Sequence, residues 1–244
     1  MFQNKENEIE FFDKFVNENE EYIGLSENSY NRLLFELSTS IKASRKKFKI
    51  LDLGCGTGSF TKKLTSLGSE IYGCDISPKS ITRAKKLHPE INFSVQDIEN
   101  LSFHENYFDI VIFSGVLHHF VDLKKPLKET KRILKENGLL FSFDPNINNP
   151  FFWLYRRKNS WFYSNEGVTK NEEPLSKKKI ISEMKFCGYK NINVYGISNM
   201  SYKYIKNKKL SLLLPMYNFA DYLLNTIPFV RNGVGSFLIT KSRK

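Results

Sequence analysis

Apolar and polar positions along the chain fall into two alternating rhythms. Short apolar runs centred near Ile50, Ile71, Phe93, Ile110 and Leu140 are each bounded by polar or glycine residues, the mark of buried strands. Between them, apolar positions recur at helical spacing, as in Phe60, Leu64 and Leu67, then Ile81, Ala84 and Leu87, then Leu127, Thr130 and Leu134. Strands alternating with helices predict an α/β fold built on a doubly wound parallel sheet. Residues 1–40 read as a helical segment, with a stripe at Phe11, Phe12 and Phe15 and a second helix around Tyr30 to Leu37. After the fifth strand, Asp144 to Pro150 is a loop by composition, and Leu175 to Cys187 reads as a helix closed by Gly188. Further strands are expected at Ile192 to Ile197 and Ser236 to Thr240. With no internal repeat or low-complexity linker, all 244 residues are expected to form one domain.

The first strand carries the most informative chemistry. Lys49-Ile50-Leu51-Asp52-Leu53 runs into Gly54-Cys55-Gly56-Thr57-Gly58, with glycines at alternate positions. Such a loop lets a ligand lie directly on the main chain, and Ser59 is placed to cap the helix that follows. A strand, a glycine loop and a helix start form the nucleotide-binding corner of an open α/β sheet. The dinucleotide pattern Gly-x-Gly-x-x-Gly is not met, because Ser59 stands where its third glycine would be. No Gly-Lys-Ser/Thr ending marks a phosphate-binding loop either. Asp52 favours a ligand with a cationic group, since a carboxylate beside a pyrophosphate is repelled.

With these residues in view, Leu51 to Gly58 resembles the first motif of the class I S-adenosylmethionine-dependent methyltransferases. Four later segments agree in order. Ile71 to Ser77 resembles the second strand, whose terminal acid, here Asp75, accepts hydrogen bonds from the ribose hydroxyls. Val95-Gln96-Asp97-Ile98 resembles the third strand end, where an aspartate meets the adenine amino group. Phe108 to Phe120 is similar to the fourth strand and its loop. Ile133 to Leu140 resembles the turn into strand five, with Glu136-Asn137 in place of the commoner Pro-Gly. The match covers roughly residues 45 to 145. It implies S-adenosylmethionine as cofactor, bound by Asp52, Gly54, Cys55, Gly56, Gly58, Asp75, Ile76, Asp97, Ile98 and Ser114. It also implies a mostly parallel Rossmann-like sheet ending in an antiparallel strand pair. Taken alone, Asp75 can be a turn residue and Asp52 a buried acceptor for the loop's own amides.

Charge and composition refine the picture. Lys and Arg number 37 against 26 Asp and Glu, a net charge of +11. Residues 151–244 hold 17 basic and 5 acidic groups, while residues 1–40 hold 3 and 9. A basic C-terminal third suits an acidic acceptor, a nucleic acid or an anionic membrane surface, although lysine runs are often plain solvated faces. No apolar run approaches a membrane span and no signal segment opens the chain. Cys55, Cys74 and Cys187 show no metal or redox spacing, so a cytoplasmic setting is expected, with peripheral membrane contact open.

Two aromatic segments, residues 150–173 and 200–231, exceed a minimal sheet and are expected to form the cap that selects the acceptor. The first holds Phe151, Phe152, Trp153, Tyr155, Trp161, Phe162 and Tyr163; the second holds Tyr202, Tyr204, Tyr217, Phe219 and Tyr222. Methyl transfer to oxygen also needs a base at the pocket mouth, and His118 and His119 in the loop after strand four are the candidates. No metal-ligand cluster is apparent. The Leu117-His118-His119-Phe120 loop and the Asp144-Pro145-Asn146 turn resemble the broad type 11 group of methyltransferases around glycan, lipid and secondary-metabolite pathways. That resemblance implies a small-molecule or glycan acceptor, with a quinone or isoprenoid lipid as the alternative. Ser114 to Leu117 replaces the Asp/Asn-Pro-Pro-aromatic motif of base-directed amino-methyltransferases, which argues against nucleic acid, although the basic third and its tyrosines keep RNA in view. A regulatory protein that binds the cofactor without turnover is the non-enzymatic alternative. Oligomeric state is not legible.

Overall fold

The structure is a computed structural model that describes residues 4–18, 25–41, 47–67, 69–152, 159–161, 163, 169, 172, 174–201 and 212–244. Trp153, Tyr155, Phe162, Tyr202 and Tyr204 of the expected cap lie outside the described residues, as does the side chain of Phe15.

Seven strands form one sheet: β1 (Lys49–Leu53), β2 (Glu70–Asp75), β3 (Asn92–Val95), β4 (Phe108–Ser114), β5 (Leu134–Pro145), β6 (Lys190–Ile197) and β7 (Phe237–Arg243). Their order is β3-β2-β1-β4-β5-β7-β6. The first five run parallel, whereas β7 lies antiparallel between β5 and β6. The chain reverses direction in the sheet between β1 and β4, and open sheets bind ligands at the carboxyl ends of strands flanking such a point.

Among the described residues the helices are α1 (Lys5–Glu18), α2 (Glu27–Ser38), α3 (Ser59–Leu64), α4 (Pro78–Leu87), α5 (Lys124–Ile133), α6 (Lys177–Phe186), α7 (Leu214–Asn225) and α8 (Pro228–Val234). Ser77 caps α4, accepting the Ser80 amide, with Pro78 pre-set for the first turn. Ser176 caps α6, and Gly188 follows its end at φ 75°. Helix α3 differs from expectation. Its cap is Gly58 at φ 87°, without a side-chain hydrogen bond, so Ser59 is the first helical residue. The helix is also short, and Leu67 falls in the 3-10 turn Thr65–Leu67.

Alternation along β1 sorts the two cores. Leu51 and Leu53 pack with Val111, Phe113 and Leu140 against Leu127, Ile133, Ile180 and Met184. On the other face Ile50, Ile110, Ile112 and Phe141 meet Leu33, Leu37, Phe60, Leu64 and Ile81. Each such side chain contributes roughly 1.5–3 kcal/mol by leaving water. Asp52 shares the face of Ile50, so strand geometry aims its carboxylate at α3 beneath the glycine loop.

Candidate active site

The glycine loop lies across the ends of β1 and β2. Gly54 and Cys55 both donate their amides to the Cys74 carbonyl, at 2.9 and 3.0 Å. The Gly56 amide donates to Asp75 Oδ2 at 2.9 Å, and the Ser77 amide to Asp75 Oδ1 at 2.9 Å. Asp75 therefore pins the loop to the end of β2. Its half-buried carboxyl is raised from the ordinary range by burial, with the two amides pulling the other way. Each carboxylate oxygen holds a further lone pair for a ligand hydroxyl.

Gly56 has φ 54°, a left-handed conformation, and a Cβ built there would meet no atom within 4 Å. Open space thus faces the main chain at the centre of the cradle. At Gly58 a Cβ would lie 2.8 Å from the Phe93 ring, so that glycine serves packing. The residues present fit a nucleoside ligand: exposed main chain, room in front of it, and the Asp75 carboxylate at its edge.

Asp52 is fully buried. Thr61 Oγ1 donates to its Oδ2 at 2.6 Å, and the Ser114 hydroxyl donates to its Oδ1. Burial pushes this carboxyl up to about 7, against the lowering effect of the two hydroxyls. Both donors are side chains, so Asp52 ties α3 and the end of β4 to β1. Cys55 is buried in the core beneath the loop, Ile76 is half-buried, and Ile98 packs within the core beside Phe108.

Asp97 carries an ion pair. Lys5 of α1 reaches its Oδ2 at 2.5 Å and Glu99 Oε2 at 2.6 Å. Helix α1 spans this edge of the sheet. Ser77 Oγ donates to Asp13 at 2.6 Å, Glu8 Oε2 lies 3.3 Å from His119 Nδ1, and the Phe12 ring meets His119 edge-on at 5.5 Å. Loops following β2, β3 and β4 are thereby gathered under one helix.

His118 and His119 occupy a buried 3-10 turn, Leu117–His119. Asp144, in β5, reaches His118 because Ser114 pairs in register with Phe143 on the neighbouring strand. Asp144 Oδ1 accepts the His118 amide at 3.2 Å and lies 3.0 Å from His118 Nδ1. Burial pushes the Asp144 carboxyl up to about 8, with the His118 amide drawing it back. His118 Nε2 lies 3.8 Å from Glu172 Oε1. His119 Nδ1 lies 3.3 Å from Thr169 Oγ1, and the two imidazole centroids are 4.4 Å apart. Burial lowers the His119 pKa, but the Glu8 contact and the charges of Glu172, Glu8 and Asp144 leave it raised.

Sequence reasoning placed the two histidines together but missed Asp144, Glu172, Glu8 and Thr169 as their partners. Adjacency of β4 and β5 could have suggested Asp144. Glu8 and Glu172 lie in segments without a motif. The described cap aromatics divide: Phe152 and Tyr217 are buried, with Phe151 edge-on to Tyr217 at 4.9 Å, while Trp161 is 100% exposed.

Residues 51–142 match the family model described as a methyltransferase domain. A ubiquinone biosynthesis O-methyltransferase of Bradyrhizobium diazoefficiens is 33% identical over 140 residues, 51% of this chain and 54% of the relative. A demethylmenaquinone methyltransferase of Chlorobaculum parvum is 33% identical over 104 residues, 42% and 43% of the two chains. This chain spans about half the length of the curated relatives it matches. Among solved structures, phosphoethanolamine N-methyltransferase 2 of Haemonchus contortus, in complex with S-adenosyl-L-methionine, superposes with a TM-score of 0.64 at 17% identity, covering 96% of this chain and 56% of that one. An Archaeoglobus fulgidus S-adenosylmethionine-dependent methyltransferase covers 88% and 94%, at 17% identity and a TM-score of 0.60. These structural likenesses concern the fold.

Proposed function

We propose that this chain, whose residues 51–142 match a methyltransferase domain, is an S-adenosylmethionine-dependent enzyme that methylates a hydroxyl oxygen of a small-molecule acceptor held beside His118 and His119. One observation carries this reading. An open glycine cradle and a buried pair of histidines, one backed by Asp144, lie at the carboxyl ends of adjacent strands.

When bound, S-adenosylmethionine would supply an activated methyl for displacement by the acceptor oxygen, its sulfur leaving as a neutral thioether. The chain's own residues do the rest. Asp75 holds the sugar hydroxyls and fixes the Gly56 amide, so loop and ligand share one anchor. Asp52 keeps the loop rigid through Thr61 and Ser114. The His118–His119 cluster receives the acceptor's proton, an effect worth roughly 10²–10⁴ in rate. Asp144 orients the His118 ring by its Nδ1 side, so that Nε2 faces the proton. Buried Leu117, Phe120 and Phe152 surround this end of the sheet with apolar surface, and excluding water sharpens alignment.

Labelled cofactor incubated with fractionated lysate of the source cell tests the proposal. Label should enter a small-molecule fraction, and His118→Ala and His119→Ala should each slow transfer with cofactor affinity nearly intact. Binding without any transfer in any fraction would replace the enzyme with a regulatory cofactor-binding protein. Label in RNA would move the acceptor class.

A lipid-tailed quinol acceptor is the second reading, favoured by the surface of α7 and α8. Asp221 holds α7 inward, accepting the Met200 amide at 2.8 Å. Outward, Met216, Phe219, Tyr222 and Leu223 are exposed, continuing to Ile227 and to Phe229, which is 92% exposed. No helix among the described residues is long and apolar enough to cross a membrane, so contact would be lateral. The chain should sediment with anionic vesicles at low salt and less so at high salt. Indifference to such vesicles would leave a water-soluble acceptor.

A further inference from the structure

We infer that His118, His119 and Glu172 hold a divalent first-row transition-metal ion beside the acceptor position. The inference deepens the methyl-transfer proposal and rests on it only for the ion's role.

Each of the three residues offers one ligand atom, and these atoms lie within 4.8 Å of one another. Ligands on a single ion with bonds of about 2.0–2.2 Å stand roughly 3.0–4.2 Å apart, so a few tenths of an ångström close the set. The separation of His118 Nε2 from Glu172 Oε1, 3.8 Å, already falls inside that range. It is too long for a direct hydrogen bond.

The surroundings match what a metal site requires. A ligating histidine donates its other ring nitrogen to a carboxylate, which fixes the ring and raises its basicity. Both histidines have this support: Asp144 stands 3.0 Å from His118 Nδ1, and Glu8 stands 3.3 Å from His119 Nδ1. With Nδ1 held on each ring, Nε2 is the ligating atom. Glu8 and Glu172 set two carboxylates around the two imidazoles, a charge that a divalent cation balances. Both imidazoles are buried, unlike a surface histidine pair that picks up metal loosely.

Two imidazoles and one carboxylate leave positions open on the ion. With the ion bound both Nε2 lone pairs are occupied, so the ion would take over proton removal from the free imidazoles: a hydroxyl entering there would bind as its oxyanion, its proton passing to water before methyl transfer, and would be aimed at the cofactor's methyl. The sequence showed no such cluster because Glu172 follows β5 in a segment without a ligand motif.

The test uses the full chain, stripped with chelator and titrated with Co²⁺ alone. One ion per chain with visible d–d absorption is expected, and Mn²⁺ or Zn²⁺ should compete for it. Glu172→Gln, a change in a half-buried loop residue that leaves the packed sheet intact, should weaken Co²⁺ binding tenfold or more. Asp144→Asn and Glu8→Gln should weaken it roughly 10–100-fold. Glu90→Gln, at an exposed carboxylate paired with Lys62, should leave it unchanged. Absence of stoichiometric d–d absorption, or a spectrum indifferent to Glu172→Gln, would overturn the proposal. Calorimetry of S-adenosylmethionine on the same metal-free protein separates the two ideas. Cofactor binding without Co²⁺ binding sinks only the metal site, and the reverse sinks the methyl-transfer reading.

Discussion

Replacing Gly56 with alanine separates the cradle's role in binding from its role in folding. The new methyl would meet no protein atom within 4 Å, so it adds no internal clash. Its cost to the fold is conformational: alanine at φ 54° sits in the left-handed region, about 1–2 kcal/mol above glycine. For a chain of this size that lowers Tm by about 2–8 °C. The methyl does, however, occupy the space where a nucleoside would lie on the main chain. Calorimetric affinity for S-adenosylmethionine should fall at least about tenfold, equivalent to roughly 1.4 kcal/mol. Gly54→Ala provides the contrast. Its Cβ would lie 2.7 Å from the Val116 Cβ, so the unliganded fold itself should suffer more. Urea denaturation and calorimetry on both variants decide the matter. Unchanged affinity in Gly56→Ala, or a stability loss matching Gly54→Ala, would refute the assignment of that space to a ligand.

Asp52 has a folded pKa of about 7, raised from 3.8. The native state therefore keeps a proton that the unfolded chain releases above pH 4. Stability from this group is complete below about pH 4 and declines as pH rises to about 7, by a few kcal/mol at most. Asp52→Asn should flatten that part of the urea-stability profile between pH 4.5 and 8, and parallel profiles would refute the buried-carboxyl account. Helix α1 touches the loops after β2, β3 and β4, so hydrogen exchange across Lys5–Glu18 should slow when S-adenosylmethionine binds; equal rates with and without it would remove α1 from the site. Lys5→Ala should cost under about 1 kcal/mol, since its pairs with Asp97 and Glu99 are part-exposed, and a larger loss in denaturation would show that α1 is a structural clamp.

Legibility followed locality. The central strands β1 and β4 lay where apolar runs stood between turns, because burial on both faces of a parallel sheet writes itself into sequence. The place of Asp75 at the end of β2 was legible because a strand end after a glycine loop has one place to be in this fold. The cap of α3 was not, since Gly58 and Ser59 are both acceptable there and only backbone geometry chooses. Partners of the histidines were hidden for a different reason. Asp144 meets His118 through strand register, Glu8 arrives from α1 at the far end of the chain, and Glu172 comes from beyond β5. Such contacts depend on tertiary packing and leave no periodic signal.

Where the nucleoside lies decides the function of the glycine loop. Crystals grown with S-adenosylhomocysteine at saturating concentration should show it along the loop from Gly54 to Gly58, ribose hydroxyls on Asp75 and sulfur toward His118 and His119. Density for the nucleoside at any other place, or a loop that stays bare, would contradict that function.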